Sequence, residues 1–161
     1  MTMRRPVLLL DVDGVLNVLS RNRADLKKRE VRLSWRPGRF ISFYPTKLTL
    51  PFMKMAWRLF DVRWLTAWGK GANMIAEWAR LPAKPAIRDS GLPDWKATGA
   101  RKALASRKGP VAWIEDGLSD EAHALVRERG WIYFETDPFV GVTQAHMRSL
   151  EGLVERKRVV S

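Results

Sequence analysis

The run Val7-Leu8-Leu9-Leu10 ends abruptly in Asp11-Val12-Asp13-Gly14. A continuous apolar stretch of this length reads as a strand over residues 6–11, buried on both faces as the central strands of parallel sheets are. A strand of that kind does not normally finish in two nearby carboxylates. They repel one another and lose hydration on burial, so they need a cation or a shared proton to coexist. The run therefore points to a divalent metal and to chemistry on something anionic.

Strand and helix patterns alternate along the rest of the chain. Residues 18–29 are polar and basic, a short helical turn or a mobile loop. Val31–Trp35 and Phe40–Tyr44 are strand-like, and Arg36-Pro37-Gly38-Arg39 between them suits a type II turn, so a β-hairpin is expected. A helix opened by Pro51 follows over 51–60, then a strand over Val62–Ala67 ending at Thr66, then a helix over 72–81. Residues 83–88 carry prolines and read as an edge strand or an extended loop. Asp94 is placed to cap a helix reaching about Ser106, and Val111–Glu115 is a strand. Ser119 caps a helix to about Arg129, closed by Gly130; Trp131–Glu135 is a strand, and Thr143 caps a last helix through about Arg156. This order favours an α/β fold of three layers around a central, mostly parallel sheet, with the hairpin inserted after the first strand. In such sheets ligands bind beyond the carboxyl ends of the strands. Asp11/Asp13, Thr66 and Glu115/Asp116 all fall at expected strand ends.

At 161 residues, a single domain over 1–161 is expected, large enough for a substantial core. The absence of Cys excludes disulfides and thiolate sites. No stretch reaches the roughly 18 consecutive apolar residues of a membrane span, and residues 7–10 are too short for a signal peptide, so a cytoplasmic protein is the default expectation. The net charge is +12, and it is concentrated. Residues 18–58 hold eleven Lys/Arg against Asp25 and Glu30. A field of that sign attracts phosphates and nucleic acid. His123 and His146, the two histidines, have no partner at ligand spacing. Trp57, Trp64, Trp78, Trp113 and Trp131 fall where core is expected, whereas Trp35, Trp68 and Trp95 stand where a base could stack.

Asp11-Val-Asp-Gly-Val-Leu-Asn17 resembles the first motif of the haloacid-dehalogenase superfamily of phosphotransferases, and the later motifs follow in order. Trp64-Leu65-Thr66 resembles the second, Lys96 in Asp94-Trp95-Lys96 the third, and Ala112-Trp113-Ile114-Glu115-Asp116 the fourth. The resemblance covers roughly residues 6–150 and implies a Rossmann-like sandwich. It also assigns roles. Asp11 would attack phosphorus and carry an aspartyl-phosphate. Asp13 would protonate the leaving oxygen and then activate water. Thr66 would hydrogen-bond a phosphoryl oxygen. Lys96 would neutralise charge between Asp11 and the phosphoryl group, with Lys102 as its rival on the same helix. Mg²⁺ would be held by Asp11, the backbone carbonyl of Asp13, and Asp116. Glu115 departs from the family's usual Asp; its longer side chain would bind the metal through water, or hydrogen-bond Lys96 instead. Asp120 is an alternative outer ligand.

The resemblance implies that substrate choice lies in elements inserted between the first and second motifs. Here residues 18–50 hold only a hairpin and a short basic segment, too little for a large cap, so a capless form with a flap is expected. An open site admits large substrates. Trp64–Trp68, Ala72-Asn73, Trp95-Lys96 and Gly141–Thr143 are more loosely similar to the haloacid-dehalogenase domains of RNA-repair proteins. The expectation is a Mg²⁺-dependent phosphatase reaching nucleic-acid terminal phosphates, with Arg32, Arg36, Arg39 and Trp68 as substrate-binding residues and no membrane partner. Two alternatives stand beside it. One is a small-metabolite phosphatase or phosphotransferase, with the flap charge incidental. The other is a nucleic-acid-binding module with a vestigial site.

Overall fold

The structure is a computed structural model that describes residues 4–160. Four strands form the central sheet: β1 (Val7–Leu10), β4 (Asp61–Trp64), β5 (Val111–Glu115) and β6 (Ile132–Glu135). Their order is β4-β1-β5-β6 and every pairing is parallel. After β1 the chain builds β4 on one side, then crosses to build β5 on the other. Such a change of direction opens a crevice at the carboxyl ends of the flanking strands. β1 lies at the centre of that change, and Asp11 follows it directly.

All four residues of β1 are fully buried, as a strand covered on both faces must be. Alternation sends Leu8 and Leu10 into one layer with α2 (Thr49–Leu59), α3 (Asn73–Trp78) and α6 (Gln144–Val160). Val7 and Leu9 enter the other, with α4 (Trp95–Ala103) and α5 (Asp120–Arg129). β5 divides in the same way, Ala112 and Ile114 to the first layer and Val111 and Trp113 to the second. Burying each such Leu, Ile or Val stabilises by about 1.5–3 kcal/mol, so a register slip in these strands would be costly. The fold is thus the α/β sandwich expected, with a separate antiparallel hairpin of β2 (Val31–Arg36) and β3 (Arg39–Phe43). Gly38 sits at φ +76° after Pro37, as a type II turn requires.

The basic segment before the hairpin is a helix, α1 (Arg23–Arg29), capped by Asn22, whose side chain accepts from the Ala24 and Asp25 amides. Arg29 closes the base of the flap by donating to the carbonyls of Val18, Tyr44 and Pro45. No described helix is long and apolar enough to cross a membrane.

Several boundaries differ from expectation. β4 stops at Trp64 rather than Thr66, level with Leu10, where its partner β1 ends; residues 83–88 are an extended segment bridged to β4 at Ala86, with the Ile87 amide donating to the Trp64 carbonyl. α2 begins at Thr49, before Pro51, which occupies its first turn, where no backbone donor is needed. The helix expected over 72–81 is a 3₁₀ turn at Gly69–Ala72 followed by α3, which ends at Trp78. α4 ends at Ala103, and Asp94 precedes it without capping an amide; its carboxylate takes the Thr98 hydroxyl. β6 starts at Ile132, one residue after Trp131. α6 extends to Val160. Its first turn holds a reciprocal cap: Thr143 Oγ1 accepts from the His146 amide, and His146 Nδ1 accepts from the Thr143 amide. His146 Nε2 is then the protonated nitrogen and donates to the Glu135 carbonyl at 2.8 Å.

Candidate active site

The loop after β1 is held by its own backbone. The Val12 carbonyl accepts from the amides of Val15, Leu16 and Asn17, and the Gly14 amide donates to the Asn17 carbonyl. Thr136, just past β6, donates its hydroxyl to the Gly14 carbonyl at 2.8 Å. This ties the loop to the far side of the sheet. Gly14 sits at φ +77°, and a Cβ there would collide with Asp116 Oδ2 and lie 2.7 Å from its Cγ. Glycine is needed twice over, for the backbone and for the room that Asp116 fills.

Three carboxylates gather at the crevice. One oxygen each of Asp11, Glu115 and Asp116 lie within 4.8 Å of one another. Asp11 and Glu115 are buried, and Asp116 is at the exposed rim. Parallel pairing sets this up: Leu10 is opposite Ile114, so the residues after Leu10 and Ile114 emerge side by side. Lys96, from the first turn of α4, reaches both buried acids, 2.9 Å from Asp11 Oδ2 and 2.7 Å from Glu115 Oε1. The Val12 amide donates to Asp11 Oδ1 at 2.7 Å, and the Trp113 indole donates to Glu115 Oε2 at 3.0 Å.

The electrostatics follow from one cation shared among three acids. Burial, partly offset by Lys96 and reinforced by Asp11, pushes Glu115 from an ordinary 4.5 to about 7. Lost hydration and the Asp11 charge also raise Asp116. For Lys96, burial acts downward, but Asp11 and Glu115 together outweigh it and hold the ammonium above its usual value. The lysine stays charged while the acids remain under-compensated. A hard divalent cation bound by these oxygens would relieve that imbalance.

Of the expected site residues, the structure brings Asp11, Lys96, Glu115 and Asp116 together. Lys96, not Lys102, is the lysine at the cluster, and Glu115 takes the hydrogen-bonding option toward it. Thr66 is buried beside them: the Leu65 amide donates to the Leu10 carbonyl, continuing the ladder past β4, and Thr66 Oγ1 accepts from the Trp68 amide at 3.3 Å. Asp13 is exposed, and its carboxylate lies outside the cluster. Asn17 Nδ2 donates to its Oδ1 at 2.8 Å and the Trp68 indole to its Oδ2 at 3.1 Å. Asp120 is in the first turn of α5, a favourable place for a negative charge, and is not part of the cluster.

Arg32, Arg36 and Arg39 are exposed on the hairpin and make no described contact with the cluster. Arg32 stacks on Phe40 at 4.6 Å and Arg36 on Trp35 at 4.7 Å. The flap base borders a groove of about 720 Å³ with Arg21, Lys28, Lys47 and Phe139 on its walls. Sequence reasoning missed the positioning roles of Asn17, Trp68 and Trp113. Asn17 stood inside the quoted motif, which was the one signal for it; a tryptophan in a strand or loop gives no sign that its indole N–H will find a carboxylate. Compared with protein-family models the chain matches none, and no curated protein matches it.

Proposed function

We propose that this chain is a Mg²⁺-dependent phosphohydrolase of the haloacid-dehalogenase type, acting through a phosphoryl group carried on Asp11. The observation that supports it most is the meeting of Lys96 with Asp11 and Glu115 at 2.9 and 2.7 Å, from segments far apart in sequence. The donor set suits Mg²⁺: carboxylate oxygens only, with Gly14 leaving room for Asp116. Asp11 and Asp116 would hold the ion, with Glu115 close enough to reach it through water, and the ion when bound stabilises charge developing on the phosphoryl oxygens.

The chain's own residues divide the reaction. An Asp11 oxygen attacks phosphorus as the bond from phosphorus to the leaving oxygen breaks. Asp13 gives that oxygen a proton. Asp13 then takes a proton from water, which attacks the phosphorus of the aspartyl-phosphate, frees phosphate and restores Asp11. Thr66 Oγ1 already accepts from Trp68, so its own proton is left for a phosphoryl oxygen. Lys96 keeps its charge throughout and holds Asp11 in line.

Phosphates at nucleic-acid ends are the substrates that the basic flap favours. The separation of Arg32, Arg36 and Arg39 from the cluster favours a second reading, a small-metabolite phosphatase with an incidental flap. Phosphate release with Mg²⁺ from an aryl phosphate and from 3′- and 5′-phosphorylated oligonucleotides tests both. Asp11→Asn should abolish release. Absence of turnover on every substrate, or turnover that survives Asp11→Asn, would overturn the proposal.

A further inference from the structure

We propose that the groove between α4 and residues 85–92 is a second binding site, for a phosphorylated heterocycle: a nucleotide, free or within a single strand. The groove measures about 780 Å³, within the roughly 300–1,000 Å³ of small-molecule sites. One wall is a single face of α4, carrying Trp95, Thr98, Gly99 and Lys102 at helical spacing. The other is the extended segment that the Ile87 amide and the Ala86 bridge hold against β4. Gly99 brings the walls together at the floor: a Cβ there would lie 2.7 Å from Ile87 Cγ2.

The groove is cationic. Arg63, Arg88 and Lys102 line it, against Asp89, whose carboxylate already accepts from the Gly91 amide at 2.7 Å. Among the described residues neither Arg88 nor Lys102 has an acidic partner. Arg63 pairs through one terminal nitrogen with Asp61 at 3.3 Å, but its Nε is buried with no acceptor among the described residues. The cations call for phosphate; the aromatic wall of Trp95, with Ile87 and Leu92, calls for an apolar planar group. Trp95 immediately precedes Lys96, whose ammonium lies 5.8 Å from the Trp95 ring centroid. The site does not depend on the hydrolase reading.

Equilibrium binding to the full chain, metal-free so that nothing turns over, tests it with three probes: inorganic phosphate, adenosine monophosphate and a short oligothymidylate. The mononucleotide should bind at least about tenfold more tightly than phosphate, the expected worth of one stacked base. Arg88→Gln with Lys102→Gln should weaken it about tenfold or more without moving the melting temperature, since charge-assisted contacts to phosphate are lost. Trp95→Ala should remove the advantage over phosphate, and Trp95→Phe should restore it. Equal affinity for the mononucleotide and the oligothymidylate assigns the site to a free nucleotide. Tighter, steeply salt-dependent oligothymidylate binding assigns it to a strand. The proposal is overturned if no probe binds at low salt, if phosphate binds as well as the nucleotide, or if neutralising Arg32, Arg36 and Arg39 removes binding while the groove variants do not. Binding is read on the metal-free chain and phosphate release on the Mg²⁺-loaded one, which separates failure here from failure of the hydrolase reading.

Discussion

Asp11, Glu115 and Lys96 stand among fixed donors in the crevice of the sheet, whereas Arg32, Arg36 and Arg39 stand in solvent on a hairpin anchored at its base. In the first region each buried carboxylate accepts from a named backbone or side-chain donor, and each donor is held by a strand, a helix or a closed turn. In the second, Leu33 and Phe43 reach the core, while Trp35 and Phe40 remain about half exposed with arginines stacked on them. Reacting groups must be fixed before a substrate arrives, because reorganisation during reaction raises the barrier. A surface that gathers a long anion works through charge and tolerates mobility.

The comparison breaks most severely at Lys96. Lys96→Met leaves two buried acids without their cation, and we expect a loss of about 3 kcal/mol in urea unfolding of the metal-free protein. The loss should be larger above neutrality, where Glu115 must ionise. The unmutated protein carries the same dependence in milder form. The folded pKa of Glu115 lies above its unfolded value, so its stabilising effect is present below about pH 4.5 and lost as pH rises through about 7. Added Mg²⁺ should reverse that loss and release protons near neutrality, which calorimetry in buffers of different ionisation enthalpy would detect.

Gly14→Ala comes next. The positive φ alone costs about 1–2 kcal/mol, and the new methyl meets Asp116. Reduced stability together with weakened Mg²⁺ binding should follow, whereas Gly38→Ala on the hairpin should affect stability alone, its Cβ position being open. Asn17→Ala and Trp68→Phe each take one donor from Asp13. Stability should fall by only about 0.5–1.5 kcal/mol, and turnover should fall more than KM changes. The smallest effect belongs to the hairpin. Replacing Arg32, Arg36 and Arg39 by Gln should leave stability within about 0.5 kcal/mol and aryl-phosphate turnover unchanged. A selective loss on oligonucleotides would sharpen the division between the regions, and a loss on every substrate would end it.

The parts of the molecule legible in the sequence are those where one local rule suffices. The apolar run through Leu10, the Ser119 and Gly130 boundaries of α5 and the Pro37-Gly38 turn are written in adjacent residues, and the structure has them where they were expected. The end of β4 was not legible, because it depends on a partner far away in the chain: Trp64 is paired with Leu10, where β1 ends. Lys96 could be ranked above Lys102 from its place in the first turn of a helix, since that turn can point into a crevice. The indole donors of Trp68 and Trp113 could not be anticipated. Trp113 reads as core and Trp68 as a face on which a base could stack; neither reading draws on the indole N–H, and only the assembled geometry brings it to Glu115 and Asp13.

Arg29 has a consequence beyond holding the flap. By joining Val18 to Tyr44 and Pro45 it makes the inserted segment begin and end at one place on the sheet. The insertion is therefore a closed loop whose length is decoupled from the scaffold beneath it. Doubling a flexible loop costs only about 0.6 kcal/mol once its ends are joined. The turn at Pro37-Gly38 could lengthen or shorten while the strands that aim Asp11 and Glu115 keep their register. A chain built this way can vary its insertion without disturbing the crevice.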